Sequence, residues 1–143
     1  MRRFLLASHA YLAEGLLSSL NLVMGKQEAV DIMCAYTDED YDIKQNIGKC
    51  LGRLSEQDEL IIVTDVLGGS VNNEFMSVIK HTDKKIYLIA GLNLPLVMSL
   101  LIKKDSGEPT ERIIHESIRE AKESICFCND LLNAEKELED EEF

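Results

Sequence analysis

His9 ends an apolar run, Phe4-Leu5-Leu6-Ala7 and then Ser8, and a helical pattern opens beside it near Ala10. Histidine is a competent nucleophile near neutral pH because a good fraction of an ordinary imidazole is unprotonated there. One ring nitrogen can attack while the other keeps its proton. A carboxylate that accepts this second N–H fixes the tautomer and stabilises the cation that forms. Asp65 is the candidate, at the head of Asp65-Val66-Leu67-Gly68-Gly69-Ser70. Gly68 and Gly69 let the backbone approach a ligand closely. Ser70 brings a hydroxyl and opens a helix, whose first N–H groups suit a phosphate, as do those after Ala10. A third turn, Gly91-Leu92-Asn93-Leu94-Pro95, adds Asn93 and Pro95 as a cleft rim. Singly, each has a plain reading: a surface histidine, a turn aspartate, a helix start. A Gly-Gly-Ser turn without a following lysine is no Walker loop. Together on one crevice, they describe a transient phosphohistidine.

The crevice depends on the elements that carry these turns. Strands are read at 2–8, 30–36, 60–64 and 85–90. Between them lie helical patterns. The first, from Ala10 to Met24, sets Leu12, Leu16, Leu20 and Val23 at helical spacing and stops at Gly25. The second is capped by Thr37 or Asp38 and carries Ile43, Ile47, Leu51 and Leu54. The third turns Phe75, Val78 and Ile79 inward, and a short helix starts at Pro95. Thr110 caps a last helix bearing Ile113, Ile114, Ile118 and Ala121. Repeated βα units predict an α/β fold: a doubly wound, mostly parallel four-stranded sheet of order 2-1-3-4, with helices on both faces. In that order strands one and three are neighbours whose helices leave to opposite faces, so the crevice opens between His9 and Asp65. One domain is read over 1–133, followed by an acidic tail over 134–143. Ile125-Cys126-Phe127-Cys128 suits either a helical continuation or a short strand.

Composition narrows the function. The formal net charge is −11, which argues against general nucleic-acid binding. Residues 135–142 hold six acids and one lysine, a solvated tail or frayed helix end. No apolar run approaches the ~18 residues that span a bilayer, so no direct membrane insertion is expected. Two arginines precede the first apolar run, but Ser8-His9 interrupt it too early for a signal peptide, and a cytoplasmic protein is expected. Cys34, Cys50, Cys126 and Cys128 form no C-x-x-C pair and are read as core thiols of a reducing compartment. His81 ends a helix and His115 lies within one; both are read as structural, and no metal site is expected.

Three segments together carry a family resemblance: Ser8-His9-Ala10-Tyr11-Leu12-Ala13-Glu14-Gly15, Thr64-Asp65-Val66-Leu67-Gly68-Gly69-Ser70 and Ile89-Ala90-Gly91-Leu92-Asn93-Leu94-Pro95. Over residues 1 to about 130 the chain resembles the IIA component of the mannose-class (mannose/fructose/sorbose) phosphotransferase system. The resemblance implies a cytosolic phosphocarrier for sugar uptake. His9 would accept a phosphoryl group from the phosphorylated histidine phosphocarrier protein and pass it to a IIB component, without metal, nucleotide or other cofactor. Asp65 would orient the imidazole, and Ser70, Gly68, Gly69 and Ala10 would surround the phosphate. The family forms homodimers by exchanging a carboxyl-terminal strand, and residues 125–128 fall where that strand belongs. The chain departs from the family's pattern at Ala10, where glycine is frequent, at Val66, where threonine is common, at Val71, where proline is frequent, and in its acidic tail.

Three other readings compete. A signalling receiver would carry its acceptor aspartate at the place of Asp65, but needs acids after strand one, where Ser8-His9 stand. The same fold could serve as a regulatory dimer, or as the phosphoryl-donor subunit of a dihydroxyacetone kinase. The sugar itself is not legible in these residues.

Overall fold

A computed structural model describes residues 1–141. Four parallel strands, β1 (Arg2–His9), β2 (Val30–Ala35), β3 (Glu59–Thr64) and β4 (Lys85–Ala90), form one sheet in the order β2-β1-β3-β4, as expected. The apolar strands bury alternate side chains on opposite faces. Phe4, Leu6, Ile61 and Val63 enter one core with α1 (Leu12–Met24), α4 (Leu94–Ile102) and α5 (Thr110–Glu123). Leu5, Ala7, Leu60 and Ile62 enter the other with α2 (Ile43–Gly52) and α3 (Ser70–Ile79). Both central strands are therefore covered on two sides, which is why they read as continuous apolar runs.

Several local expectations need correction. The buried stripe of α1 is Ala13 and Leu20, with Leu16 and Leu17 partly buried; Leu12 and Val23 face outward. Apolar neighbours at 12–13 and 16–17 leave the phase of the helix undecided, and Ala13 is fully buried. Thr37 and Asp38 do not cap α2. Asp42 does, its carboxylate accepting the Gln45 N–H at 3.1 Å. Thr110 is the first residue within α5 rather than its cap, and its hydroxyl is taken by Arg2 and Glu59.

The carboxyl-terminal segment differs most. In the single chain, residues 125–127 pair with no strand, and α6 (Cys128–Glu141) begins where the exchanged strand was expected. Cys126 and Cys128 are exposed rather than core thiols, while Cys34 and Cys50 are half-buried. The helix crosses the expected boundary at 133, and the last two residues of the expected tail lie outside the described residues.

Candidate active site

Register brings the two candidate groups together. β1 and β3 pair so that Ala7 lies opposite Thr64, and His9 and Asp65 emerge together at the carboxyl edge of the sheet. α1 packs into one core and α3 into the other, so the chain diverges on either side of this point.

Asp65 is the hub. Its Oδ2 accepts the His9 backbone N–H at 2.8 Å and lies 2.8 Å from ring Nδ1. Its Oδ1 accepts the Val66 N–H at 2.9 Å. An ionised carboxylate only accepts, so Nδ1 carries the proton and Nε2 keeps the lone pair; the tautomer is assigned from these partners. Nε2 lies 3.1 Å from Ser70 Oγ, whose hydroxyl donates to it. The imidazole is 45% exposed and the Asp65 side chain 8%. Burial pushes the Asp65 carboxyl up, but the His9 backbone N–H, the His9 ring, the Val66 N–H and the His9 charge together outweigh it, so its pKa lies below the usual carboxylate value. The geometry therefore presents an oriented nucleophilic nitrogen to solvent while its counter-charge stays sheltered.

The glycine turn shapes this pocket. Gly68 has φ +80°, a conformation that disfavours side chains. A Cβ on Gly69 would lie 3.3 Å from His9 Cε1 and from the Val66 carbonyl, so a side chain there would press on the imidazole. The turn is tied down from beneath by buried Asn72, whose Oδ1 accepts the Gly68 N–H at 3.2 Å. The Asn72 amide donates to Thr64 Oγ1 at 2.9 Å, and that hydroxyl donates to the Ile89 carbonyl at 3.3 Å. Sequence reasoning passed over Asn72; a polar residue at an inward position just after Gly-Gly-Ser was the available signal. Ser8 was also underrated. Its buried Oγ accepts the Ala13 N–H at 2.8 Å and donates to the Ala10 carbonyl at 3.2 Å, tying α1 to the end of β1.

The expected phosphate donors are placed differently. The Ala10 N–H donates to the Ala35 carbonyl, the Gly68 N–H to Asn72 and the Gly69 N–H to the Val66 carbonyl. The N–H groups of Tyr11 and Leu12, and of Ser70 and Val71, have no acceptor among the described residues. These are the first-turn donors of α1 and α3. Ala10 instead shapes the turn, with φ +50°.

Among the described residues, no hydrogen bond joins Asn93 to His9, Asp65 or Ser70. Asn93 caps α4, its Oδ1 accepting the Leu96 N–H at 3.0 Å while its amide donates to the Gly91 carbonyl. Pro95 lines an open groove with Met98, Ile102 and Lys103. The third turn still serves the site, because the Gly91 and Leu92 N–H groups both hold the Thr64 carbonyl at 2.9 Å. His81 is exposed in the turn that follows α3, and His115 is exposed on α5. Among the described residues no group of three His, Cys, Asp or Glu could hold a metal, and no helix is long and apolar enough to cross a membrane.

Comparison with known proteins agrees with this reading of the fold. The family model described as "PTS system fructose IIA component" matches residues 3–130. A Klebsiella pneumoniae chain, provisionally assigned as a phosphoenolpyruvate-dependent sugar phosphotransferase system permease, is 43% identical over 92% of this chain and 93% of its own, with a TM-score of 0.84. Phosphotransferase system component EIIA from Streptococcus agalactiae is 26% identical over 91% of this chain and 99% of its own, with a TM-score of 0.77. The PTS IIA protein associated with the fucose utilization operon of Streptococcus pneumoniae is 26% identical over 92% of this chain and 96% of its own, with a TM-score of 0.74.

Proposed function

From the premise that this chain belongs to the family of phosphotransferase-system fructose IIA components, we propose that it is a cytoplasmic phosphocarrier in which His9 Nε2 carries the phosphoryl group. The donor is the phosphorylated histidine phosphocarrier protein, and the acceptor is a IIB component of a sugar uptake system. One observation carries the proposal: Asp65 holds the Nδ1–H, which leaves the Nε2 lone pair aimed outward beside Ser70.

The chemistry follows from the atoms present. The Nε2 lone pair attacks phosphorus in line, the donor's P–N bond breaks, and its electron pair returns to the donor imidazole. The transition state is loose, so catalysis rests on placing the reactants and stabilising the equatorial oxygens. The Ser70 hydroxyl turns from Nε2 to the phosphoryl, and first-turn N–H groups of α1 and α3 offer further donors. Asp65 offsets the positive charge that the ring acquires. No step draws on a metal or a nucleotide.

Two surface features support protein partners. Tyr11 and Leu12 on one side of His9, and Val66 and Leu67 on the other, expose apolar side chains around a small polar centre. An apolar rim of this kind suits a protein that delivers phosphate better than a free small molecule. Ile125 and Phe127 remain 77% and 66% exposed. That supports a homodimer in which a second copy covers them.

Reconstitution with phosphoenolpyruvate, the two general phosphotransferase proteins and a IIB component, followed by intact mass, tests the proposal. The expected result is one added phosphoryl group that is lost to IIB and never appears on His9→Ala. A folded His9→Ala protein that still gains phosphate would overturn it.

A further inference from the structure

Among the described residues, two side chains other than glycine sit on left-handed backbone: Ala10 at φ +50° and Tyr36 at φ +62°. Such a backbone is costly for a bulky aromatic residue, and strain of this kind persists where the surrounding structure enforces it, often at functional sites. Both residues adjoin His9. Ala10 follows it in the chain. Tyr36 is brought by register, because Ala35 pairs with His9 across β1 and β2 and accepts the Ala10 N–H at 2.8 Å. Tyr36 thus leaves the sheet where His9 does. Its ring centroid lies 5.6 Å from that of the imidazole at an interplanar angle of 42°, within the range of favourable aromatic pairs. Tyr41 makes an edge-on contact with the Tyr36 ring at 5.7 Å. Tyr36 remains 44% exposed, so burying its ring does not explain the strained backbone.

We propose that Tyr36 is a positioning residue for the phosphorylated state of His9. The inference rests on the phosphoacceptor reading above and adds to it a residue outside the Asp65–Ser70 cluster. In the unmodified protein the imidazole is fixed at both nitrogens, by Asp65 at Nδ1 and Ser70 at Nε2. Formation of the N–P bond uses the Nε2 lone pair, so the hydrogen bond from Ser70 to that nitrogen is lost. The ring then has one hydrogen-bonded nitrogen and a positive charge. The Tyr36 face supplies what is missing. It limits rotation about the axis through Nδ1, and its π-system attracts the cationic ring more than the neutral one. Tyr36 touches no reacting atom; it acts through the imidazole.

Chemical phosphorylation separates this inference from the identity of the protein donor. Phosphoramidate transfers its phosphoryl group to Nε2 as its own P–N bond breaks, and the departing nitrogen leaves as ammonia after taking a proton from water. Wild type, Tyr36→Phe and Tyr36→Leu are each labelled, and the carbon-bound ring protons of His9 are followed by NMR before and after labelling. In Tyr36→Leu those protons lose their ring-current displacement, and labelling slows about two- to fivefold, the size of a half-exposed cation–π contact. Tyr36→Phe retains the ring-proton shifts and the wild-type rate, because the face and not the hydroxyl is used. A Leu variant with unchanged shifts and rate overturns the inference, and so does a Phe variant as impaired as Leu. Wild type that takes no label on His9 overturns the phosphoacceptor reading as well, so the two failures are told apart.

Discussion

The sheet has a polar cluster at each end, and the two are built on opposite terms. At the amino end, Arg2 donates through Nε to Thr110, through one terminal nitrogen to the Lys104 and Ser106 carbonyls, and through the other to the Glu108 carbonyl. Thr110 in turn donates to Glu59, the partner of Arg2 across the β1–β3 pair. Every strong donor there has a fixed acceptor, and the cluster pins the 103–109 link to the sheet. At the carboxyl end, His9, Asp65 and Ser70 form a network of similar size, yet the Nε2 lone pair is met only by the Ser70 hydroxyl beside solvent, and two helix starts keep free N–H groups. That end also contains both strained non-glycine residues. A saturated network holds a fold together, whereas one whose outer nitrogen is met by a single rotatable hydroxyl suits the group exchange proposed above.

Substitutions on either side should separate these roles. The largest effect is expected for Asp65→Asn. The amide can donate as well as accept, so the tautomer that frees Nε2 is no longer enforced. Phosphoryl transfer should slow by about 10–100-fold or more with the fold retained, as read by rapid-quench labelling. An unchanged rate would remove Asp65 from its role.

Arg2→Met should do the reverse. It strands several acceptors in a partly buried setting and should cost about 2–3 kcal/mol of stability by chemical denaturation, while leaving His9 labelling at native temperature unaltered. Loss of labelling in a folded Arg2→Met protein would mean that the two ends are not independent.

Ala10→Gly should be the mildest. Glycine relieves the positive φ at Ala10, worth about 1–2 kcal/mol, but gives back part of that through the freer unfolded chain. A net gain of about 0.5–1 kcal/mol with unchanged labelling is expected. Lower stability would show that the alanine methyl contributes packing.

Acid sharpens the same contrast. The Asp65 pKa is depressed on folding, so its stabilising contribution is complete above the unfolded value of about 3.9 and disappears as pH falls through the folded one. The stability difference between wild type and Asp65→Asn should therefore shrink below about pH 4, measured by denaturation across pH. A difference constant down to pH 2 would contradict the depressed value.

Much of this was legible in the chain. Strand β4 begins and ends where its composition places it, a parallel sheet with helices on both faces follows from alternating units and one handedness rule, and the order β2-β1-β3-β4 is the one expected. His9, Asp65 and Ser70 could be read because each follows a strand or opens a helix at the same edge. What escaped depended on three-dimensional facts that a linear pattern does not hold. The aromatic partner of His9 required the register of β1 with β2, which brings Tyr36 across from a distant stretch of sequence. Asn72 lies three residues before Phe75 on the face read as inward, but its partners Gly68 and Thr64 belong to the turn and to β3 and were not legible. Backbone N–H groups at Ala10, Gly68 and Gly69 looked free because their acceptors lie in other segments or in the turn's own fold. The strand expected at 125–128 is absent from the single chain, where α6 begins at Cys128 instead.

The most direct test is which atom carries the phosphate. NMR of ¹⁵N-histidine-labelled protein after phosphorylation distinguishes Nε2 from Nδ1 through coupling of the ring nitrogen to phosphorus. Phosphorus bonded to Nε2 of His9, with Nδ1 still protonated toward Asp65, is the expected result. Phosphorus on Nδ1, or on any other residue, would contradict the claim that Asp65 selects the reactive nitrogen.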